Sequence, residues 1–129
     1  MMHTTTTNGI RISVRVFYNK EYSDPLEKKF VYVYEILIEN LTDNPVQLMA
    51  RHWRIFDGYG IKREVIGEGI IGRQPVIDPG EFHSYSSWSP VSTELGRMDG
   101  RYQMINLTTD EKFYVNIPSF DLIYPMILN

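Results

Sequence analysis

The chain has 129 residues, no cysteine and a formal net charge of −3, a length that fits one domain with a single core. The lack of cysteine excludes disulfides, thiol nucleophiles and cysteine-ligated metal sites. The slightly acidic balance gives no electrostatic case for nucleic-acid binding. The sequence shows neither a secretory signal peptide nor an apolar run of ~18 residues that would span a membrane.

Short segments with period-two alternation follow one another along the chain and predict β-strands. Residues 1–7 precede them and are predicted to be a flexible tail, which leaves 8–129 as a single domain. The segment 30–39 gives the strongest pattern, because one of its two faces is wholly apolar or aromatic. The predicted strands span 10–18, 30–39, 46–56, 61–66, 82–88, 97–107, 113–117 and 120–123.

The segment 46–56 differs from the others, since both of its alternating faces mix apolar with basic residues. We therefore predict that the buried face of this strand changes midway, at a β-bulge. The tetrapeptide Asp57-Gly58-Tyr59-Gly60 follows and predicts a tight hairpin turn.

No segment combines helical periodicity with capping residues, so the predicted fold is all-β, with about seven to eight strands and no substantial helix. Two details favour an immunoglobulin-like or fibronectin III-like sandwich over a barrel. The spacing of Tyr102 and Met104 matches a tyrosine corner in which Met104 replaces a core cysteine. Trp53, on the third predicted strand, takes the place of the buried core tryptophan of such domains.

A G-x-G-x-x-G motif lies at Gly67, Gly69 and Gly72. The dinucleotide-binding form of this motif opens a helix, whereas the two prolines that follow here, Pro75 and Pro79, argue against one. Two interpretations remain. In the first, the glycines only allow a tight bend between strands. In the second, successive amides form an anion-binding nest, with Arg63 and Arg73 adding positive charge.

The sequence offers little for catalysis. His3, His52 and His83 have no metal-ligand spacing between them, and no G-x-S-x-G nucleophile elbow accompanies the serines of the chain. We therefore predict no catalytic residue, no metal site and no cofactor, apart from a phosphate or pyrophosphate ligand at the glycine motif.

Several motifs occur along the chain: PVQL at 45–48, RHW at 51–53, VIGEGIIGRQPV at 65–76, PGE at 79–81, MDGRYQM at 98–104 and IPSF at 117–120. In this order they resemble the ApaG family. The resemblance covers roughly residues 10–124 and implies a fibronectin III-like sandwich that is cytoplasmic in bacteria. It also implies an association with Co²⁺/Mg²⁺ efflux or tolerance, and similar domains in eukaryotic F-box and polymerase-interacting proteins suggest protein–protein interaction. It supplies no catalytic residue.

Three functional hypotheses follow. The first is a non-enzymatic binding module that influences Co²⁺/Mg²⁺ homeostasis through a protein partner or a small anion. The second is binding of phosphate, pyrophosphate or a nucleotide by the 67–73 loop, and the third is a hydrolase of dinucleoside polyphosphates. An exposed sandwich edge also makes a homodimer plausible.

Overall fold

The computed structural model describes residues 2–128, and over this range the chain forms nine β-strands and two short 3-10 helices. No helix among these residues is long and apolar enough to cross a membrane. The prediction of an all-β fold is confirmed, and the last two predicted strands are one continuous strand. The strands are β1 (Met2–Thr7), β2 (Ile10–Tyr18), β3 (Phe30–Asn40), β4 (Val46–Asp57), β5 (Lys62–Glu68), β6 (Val76–Ile77), β7 (Phe82–Val91), β8 (Leu95–Asn106) and β9 (Lys112–Ile123), and the 3-10 helices are Pro25–Glu27 and Pro125–Leu128.

The strands form two antiparallel sheets that pack face to face as a sandwich. One sheet has the order β1-β2-β3-β7, and the other has the order β5-β4-β8-β9 with β6 paired to β4. The core lies between them, and alternate residues of β2, β3, β8 and β9 point into it. Burial of each large apolar side chain contributes about 1.5–3 kcal/mol, so these inward faces supply most of the stabilising energy of the sandwich.

Strand β4 contains the predicted bulge. Its register against β8 shifts between Leu48 and Ala50, so Met49 is the extra residue. Before the bulge Leu48 is buried, whereas after it Trp53 and Ile55 are buried. Because side chains alternate with a period of two, the shift also moves Arg51, two residues before Trp53, to the side of the sheet that faces the core.

The predicted N-terminal tail is wrong. Residues 2–7 form β1, which pairs with β2 from Met2 opposite Arg15 to Thr7 opposite Ile10. Threonine is β-branched and favours strands, and Asn8 and Gly9 have positive φ values of 51° and 77°, as a tight hairpin turn requires. The domain therefore begins by residue 2; Met1 and Asn129 lie outside the described residues.

The predicted tyrosine corner is also wrong, although Trp53, Tyr102 and Met104 are all buried as expected. In a tyrosine corner the hydroxyl bonds to nearby backbone. Here Tyr102 lies in the middle of β8, and its hydroxyl forms a hydrogen bond with the hydroxyl of Tyr85 on β7. The tyrosine thus joins the two sheets through a pair of side chains.

Candidate functional site

The glycine motif lies just after β5 and forms a closed turn. Gly69, Ile71 and Gly72 have φ values of 51°, 51° and 79°. Four amides of the segment 69–73 donate to backbone carbonyl groups, so they do not converge on a common point. The four bonds run from Gly69 to Met49 (2.9 Å), from Ile70 to Arg73 (2.7 Å), from Gly72 to Glu68 (3.3 Å) and from Arg73 to Ile70 (3.0 Å).

Of the two interpretations, the geometry is that of a tight bend, and these four amides are bonded within the backbone. Gly69 is required there, because a Cβ on it would lie only 1.8 Å from the carbonyl oxygen of Arg73. Gly72 has positive φ but faces open space. The carbonyl group of Met49, the bulge residue, accepts the amide of Gly69 and thereby ties the bend to β4.

Gly67 has a different role, which involves a residue that the sequence interpretation did not select. It lies opposite Arg51 in the pairing of β4 with β5. A Cβ on Gly67 would come within 2.9 Å of Nη1 of Arg51. The absence of a side chain at Gly67 therefore leaves room for the guanidinium group of Arg51.

Arg51 and Arg63 lie on the same, inward face of this edge of the sheet. Trp53 pairs with Val65 and Ile55 pairs with Arg63, and residues that are directly paired across strands share a face. Opposite them, across the gap between the sheets, β7 contributes Tyr85 and Ser87.

The two arginines and these β7 residues line a cleft of about 130 Å³ between the open edges of β5 and β7, which we call the Arg51–Arg63 cleft. Of the predicted site residues, Arg63 lines the cleft, whereas Arg73 is exposed and lies outside its lining. Gly67 contributes indirectly, by making room for Arg51. The full lining consists of Tyr34, Arg51, Trp53, Ile55, Arg63, Val65, Ile70, Ile71, Tyr85, Ser87, Trp88 and Ser89.

Both arginines are held by neutral oxygen atoms. Nη1 of Arg51 donates to the carbonyl oxygens of Glu68 at 2.9 Å and Gly69 at 3.1 Å. Nη2 of Arg63 donates to Oγ of Ser89 at 3.0 Å and to the carbonyl oxygen of Pro90 at 2.9 Å.

Within residues 2–128 neither arginine forms a salt bridge, in contrast to Arg54, which forms a two-pronged pair with Asp99 at 2.6 and 2.9 Å. The cleft therefore carries two positive charges without an adjacent carboxylate.

Tyrosine hydroxyl groups lie close to these charges. Burial raises the pKa values of Tyr34, Tyr85 and Tyr102, while the positive charge of Arg51 acts in the opposite direction on all three. The tyrosines therefore stay protonated at neutral pH and are neutral hydrogen-bonding groups. The ring of Tyr34 also packs against Trp53, with 5.1 Å between centroids.

The titratable side chains that line the cleft are two arginines and two tyrosines. General acid–base catalysis works best with a group whose pKa lies near the working pH. Arginine is always protonated, and the tyrosines are protonated here for the reason just given. The other lining residues are two tryptophans, two serines and four aliphatic residues.

A second, polar groove lies on the outer face of the other sheet, around Gly100. Nε2 of His52 lies 2.9 Å from Oε2 of Glu64, and Arg54 pairs with Asp99. The guanidinium group of Arg101 lies over the ring of Tyr114, 4.1 Å from its centroid. The three histidines lie on β1, β4 and β7. Across residues 2–128 no three His, Cys, Asp or Glu side chains are grouped so that they would hold a metal ion.

Comparison with known proteins gives consistent matches over most of the chain. The family model described as DUF525, the ApaG domain, matches residues 20–106. Protein ApaG of Mesorhizobium japonicum is 43% identical over 124 residues, which cover 96% of this chain and 95% of that protein. The crystal structure of a Bordetella pertussis protein described as ApaA superposes with a TM-score of 0.86 at 37% identity, covering 90% of this chain and 94% of that chain.

A more distant likeness supports the fold alone. A protein from Archaeoglobus fulgidus is 9% identical, has a TM-score of 0.53, and covers 85% of this chain and 94% of that chain.

The two packed antiparallel sheets define a fibronectin III-like β-sandwich domain with a small charged cleft at their open edge. The family match and the near full-length identity then identify it further. The chain belongs to the ApaG family, as the sequence motifs predicted.

Proposed function

We propose that this protein is a non-enzymatic binding module, and that it acts by pairing its edge strand β7 with an extended segment of a protein partner. The single observation that carries the proposal is the unprotected edge of β7. Among the described residues this strand pairs only with β3. An unpaired strand edge presents a row of backbone donors and acceptors to any extended chain.

The edge of β7 lacks the charges that usually prevent such pairing. From Phe82 to Val91 the strand contains no Asp, Glu, Lys or Arg. It nevertheless exposes two large apolar side chains, Phe82 at 64% and Trp88 at 63%. Only its end is partly capped, by Pro90 and by the bond from Arg63 to the Pro90 carbonyl oxygen.

The other sheet edges are protected. Strand β5 carries the charged residues Lys62, Arg63 and Glu64. The edges of β1 and β9 lie against each other, where the amide of Asn116 donates to Oγ1 of Thr7 at 3.2 Å. Among β1, β5, β7 and β9, the strand β7 is therefore the favoured site for an added strand; β6, the remaining outer strand, has only two residues.

A neighbouring groove supplies a means of selecting the partner. It measures about 500 Å³ and lies on the outer face of the β3–β7 sheet, between Tyr22 and Trp88, above a floor that includes Val31 and Val33. In strand addition the main chain supplies affinity and side-chain pockets supply specificity. The groove fits an apolar or aromatic side chain of the partner segment.

We propose cation homeostasis as the physiological setting, because the sequence resemblance associates the family with Co²⁺/Mg²⁺ efflux or tolerance, and the cytoplasm as the location on the same ground. A non-enzymatic role is supported by the lining of the Arg51–Arg63 cleft, whose titratable groups are unsuited to proton transfer near pH 7. The same lining gives no support to a dinucleoside-polyphosphate hydrolase.

Site-specific photo-crosslinking tests the proposal. A photoreactive residue in place of Ser86 on β7 is expected to crosslink a discrete partner in cells, whereas one in place of Ser119 on β9 is not. Ser86→Lys adds a charge to the edge and is expected to abolish binding of the identified partner and to raise cobalt sensitivity. Ser119→Lys, also at an exposed serine, is the matched control. If deleting the protein leaves cobalt sensitivity unchanged and position 86 captures nothing, the proposal is wrong.

Light scattering tests whether the partner bound at β7 is a second copy of the chain. In that case the wild-type protein is a dimer, and Ser86→Lys is a monomer with the same secondary structure. A dimer that persists in Ser86→Lys uses another surface and contradicts the assignment of β7.

A further inference from the structure

We propose that the Arg51–Arg63 cleft binds a single oxyanion, either a carboxylate or a phosphate group. The proposal differs from anion binding by the amides of the glycine loop, because those amides are bonded to backbone carbonyls. It also does not require a partner at β7.

The first argument is the direction in which the two arginines point. The bulge at Met49 and the pairing of Ile55 with Arg63 place both side chains on the face that elsewhere forms the apolar core. Arg51 is half-buried and Arg63 is exposed, so both guanidinium groups remain charged and accessible from solvent. Two positive charges held on one face by neutral oxygen atoms attract an anion, which would supply the opposite charge.

The second argument is the number of donors that remain. The bonds to Glu68, Gly69, Ser89 and Pro90 use Nη1 of Arg51 and Nη2 of Arg63. Among the described residues no hydrogen bond is formed by the other nitrogen atoms of these two groups. A guanidinium group has five N–H donors in a rigid fork that matches carboxylate and phosphate oxygens. Each arginine is thus fixed by one nitrogen and keeps further donors for a ligand.

The third argument is the electrostatic surroundings. The positive charge of Arg51 reaches the hydroxyl groups of Tyr34 and Tyr85, which remain protonated and can donate to an anion. The rim is apolar, formed by Ile71 and Trp88. Hydrogen bonds from a guanidinium group to an anionic oxygen are charge-assisted and stronger than those between neutral groups.

The size of the cleft restricts the ligand. Its volume of about 130 Å³ lies below the roughly 300–1,000 Å³ of pockets that enclose a drug-sized molecule. A carboxylate or a phosphate group fits, whereas a nucleoside does not. We therefore expect a nucleotide to bind no more tightly than its phosphate groups alone.

Tryptophan fluorescence provides the test, because the chain has two tryptophans and both Trp53 and Trp88 line the cleft. Sodium acetate, inorganic phosphate, pyrophosphate and AMP are titrated separately, with sodium chloride at matched ionic strength as the blank. Saturable changes with Kd on the order of 1 mM or tighter are expected for at least one of acetate, phosphate and pyrophosphate. The order among them shows whether the natural ligand bears a carboxylate or a phosphate.

Variants locate the binding. Arg63→Gln is expected to raise the Kd for the anion at least about tenfold, since it removes a charge-assisted contact. Arg73→Gln, the matched control in the exposed part of the loop, is expected to change the affinity less than about twofold. Arg51→Lys keeps the charge and loses the fork, so it is expected to weaken binding while circular dichroism and Tm confirm the fold.

Two results would overturn the proposal. One is the absence of saturable binding by any of the three anions. The other is anion binding that persists in folded Arg63→Gln and Arg51→Lys proteins but is lost in Arg73→Gln. That result would show that the anion binds at the glycine loop and not in the cleft.

Discussion

Gly67 and Arg51 lie opposite each other on the inner face of the β4–β5 pair, and the guanidinium group of Arg51 fills the space that a side chain at Gly67 would need. A Cβ on Gly67 would lie 2.9 Å from Nη1 and 3.1 Å from Cζ of Arg51. The first glycine of the G-x-G-x-x-G motif is therefore explained by a neighbouring side chain. The motif looks like a phosphate-binding loop, but here it positions an arginine.

Gly67→Ala tests this relationship directly. The added methyl group displaces the guanidinium group of Arg51 from the carbonyl oxygens of Glu68 and Gly69. We expect a loss of about 1–2 kcal/mol in the free energy of unfolding, as for moderate overpacking, together with weaker anion binding in the cleft. Urea unfolding and the fluorescence titration measure the two effects. Unchanged values in both would show that Arg51 has room to move.

Substitution of the other two glycines of the motif by alanine is expected to lower the free energy of unfolding by different amounts. The methyl group added by Gly72→Ala would face open space. The free energy of unfolding of this variant therefore falls only by the strain energy of a positive φ, about 1–2 kcal/mol. Gly69→Ala adds the same strain and a clash with the Arg73 carbonyl oxygen, so its loss in unfolding free energy must be the larger. Urea unfolding of the two variants gives the comparison. Equal losses would mean that the bend opens at little energetic cost.

Much of the fold follows from local patterns in the sequence. Alternation located the long strands, and the mixed faces of 46–56 correctly indicated a bulge in β4. The tail was missed because four successive threonines give no contrast between the two faces. The signal that was overlooked is Asn8-Gly9, a favoured hairpin dipeptide directly before a strong strand.

The candidate site was harder to predict, because it depends on a bulge that lies before Arg51. Without that extra residue, Arg51 would share the face of Gln47 and Met49 and point outward, as an ordinary surface arginine. The sequence also cannot show that Arg63 crosses from β5 to the carbonyl oxygen of Pro90 on β7, since that contact requires the packing of two sheets. The glycines were found by their spacing, but their role depends on these long-range contacts.

Removal of residues 1–7 distinguishes a strand from a tail. The deletion uncovers β2 and removes the contact of Thr7 with Asn116 on β9. We expect the free energy of unfolding to fall by roughly 2 kcal/mol or more, through lost burial and cross-strand pairs. Thermal unfolding of the truncated and full-length proteins measures the change. Equal Tm values would show that β1 contributes nothing to stability.

The buried hydroxyl pair of Tyr85 and Tyr102 is expected to show strong coupling. Tyr85→Phe leaves the fully buried hydroxyl of Tyr102 without its partner, which costs about 1–3 kcal/mol. The double variant Tyr85→Phe/Tyr102→Phe removes both hydroxyls and is expected to lose less than the sum of the single variants. A double-mutant cycle by urea unfolding measures the coupling. Additive losses would mean that the hydroxyl groups do not interact.

The same pair predicts a loss of stability in alkaline solution. Burial raises the pKa values of Tyr85 and Tyr102 above the ordinary 10.0, so the folded protein holds these protons more tightly than the unfolded chain does. The stabilisation is fully present below pH 10, and it declines as the pH rises from 10 towards the folded-state values, because the unfolded chain ionises first. Unfolding free energies at pH 8 and pH 11 are expected to differ more in the wild type than in the double phenylalanine variant. An equal dependence on pH in the two proteins would show that these tyrosines do not cause the alkaline loss.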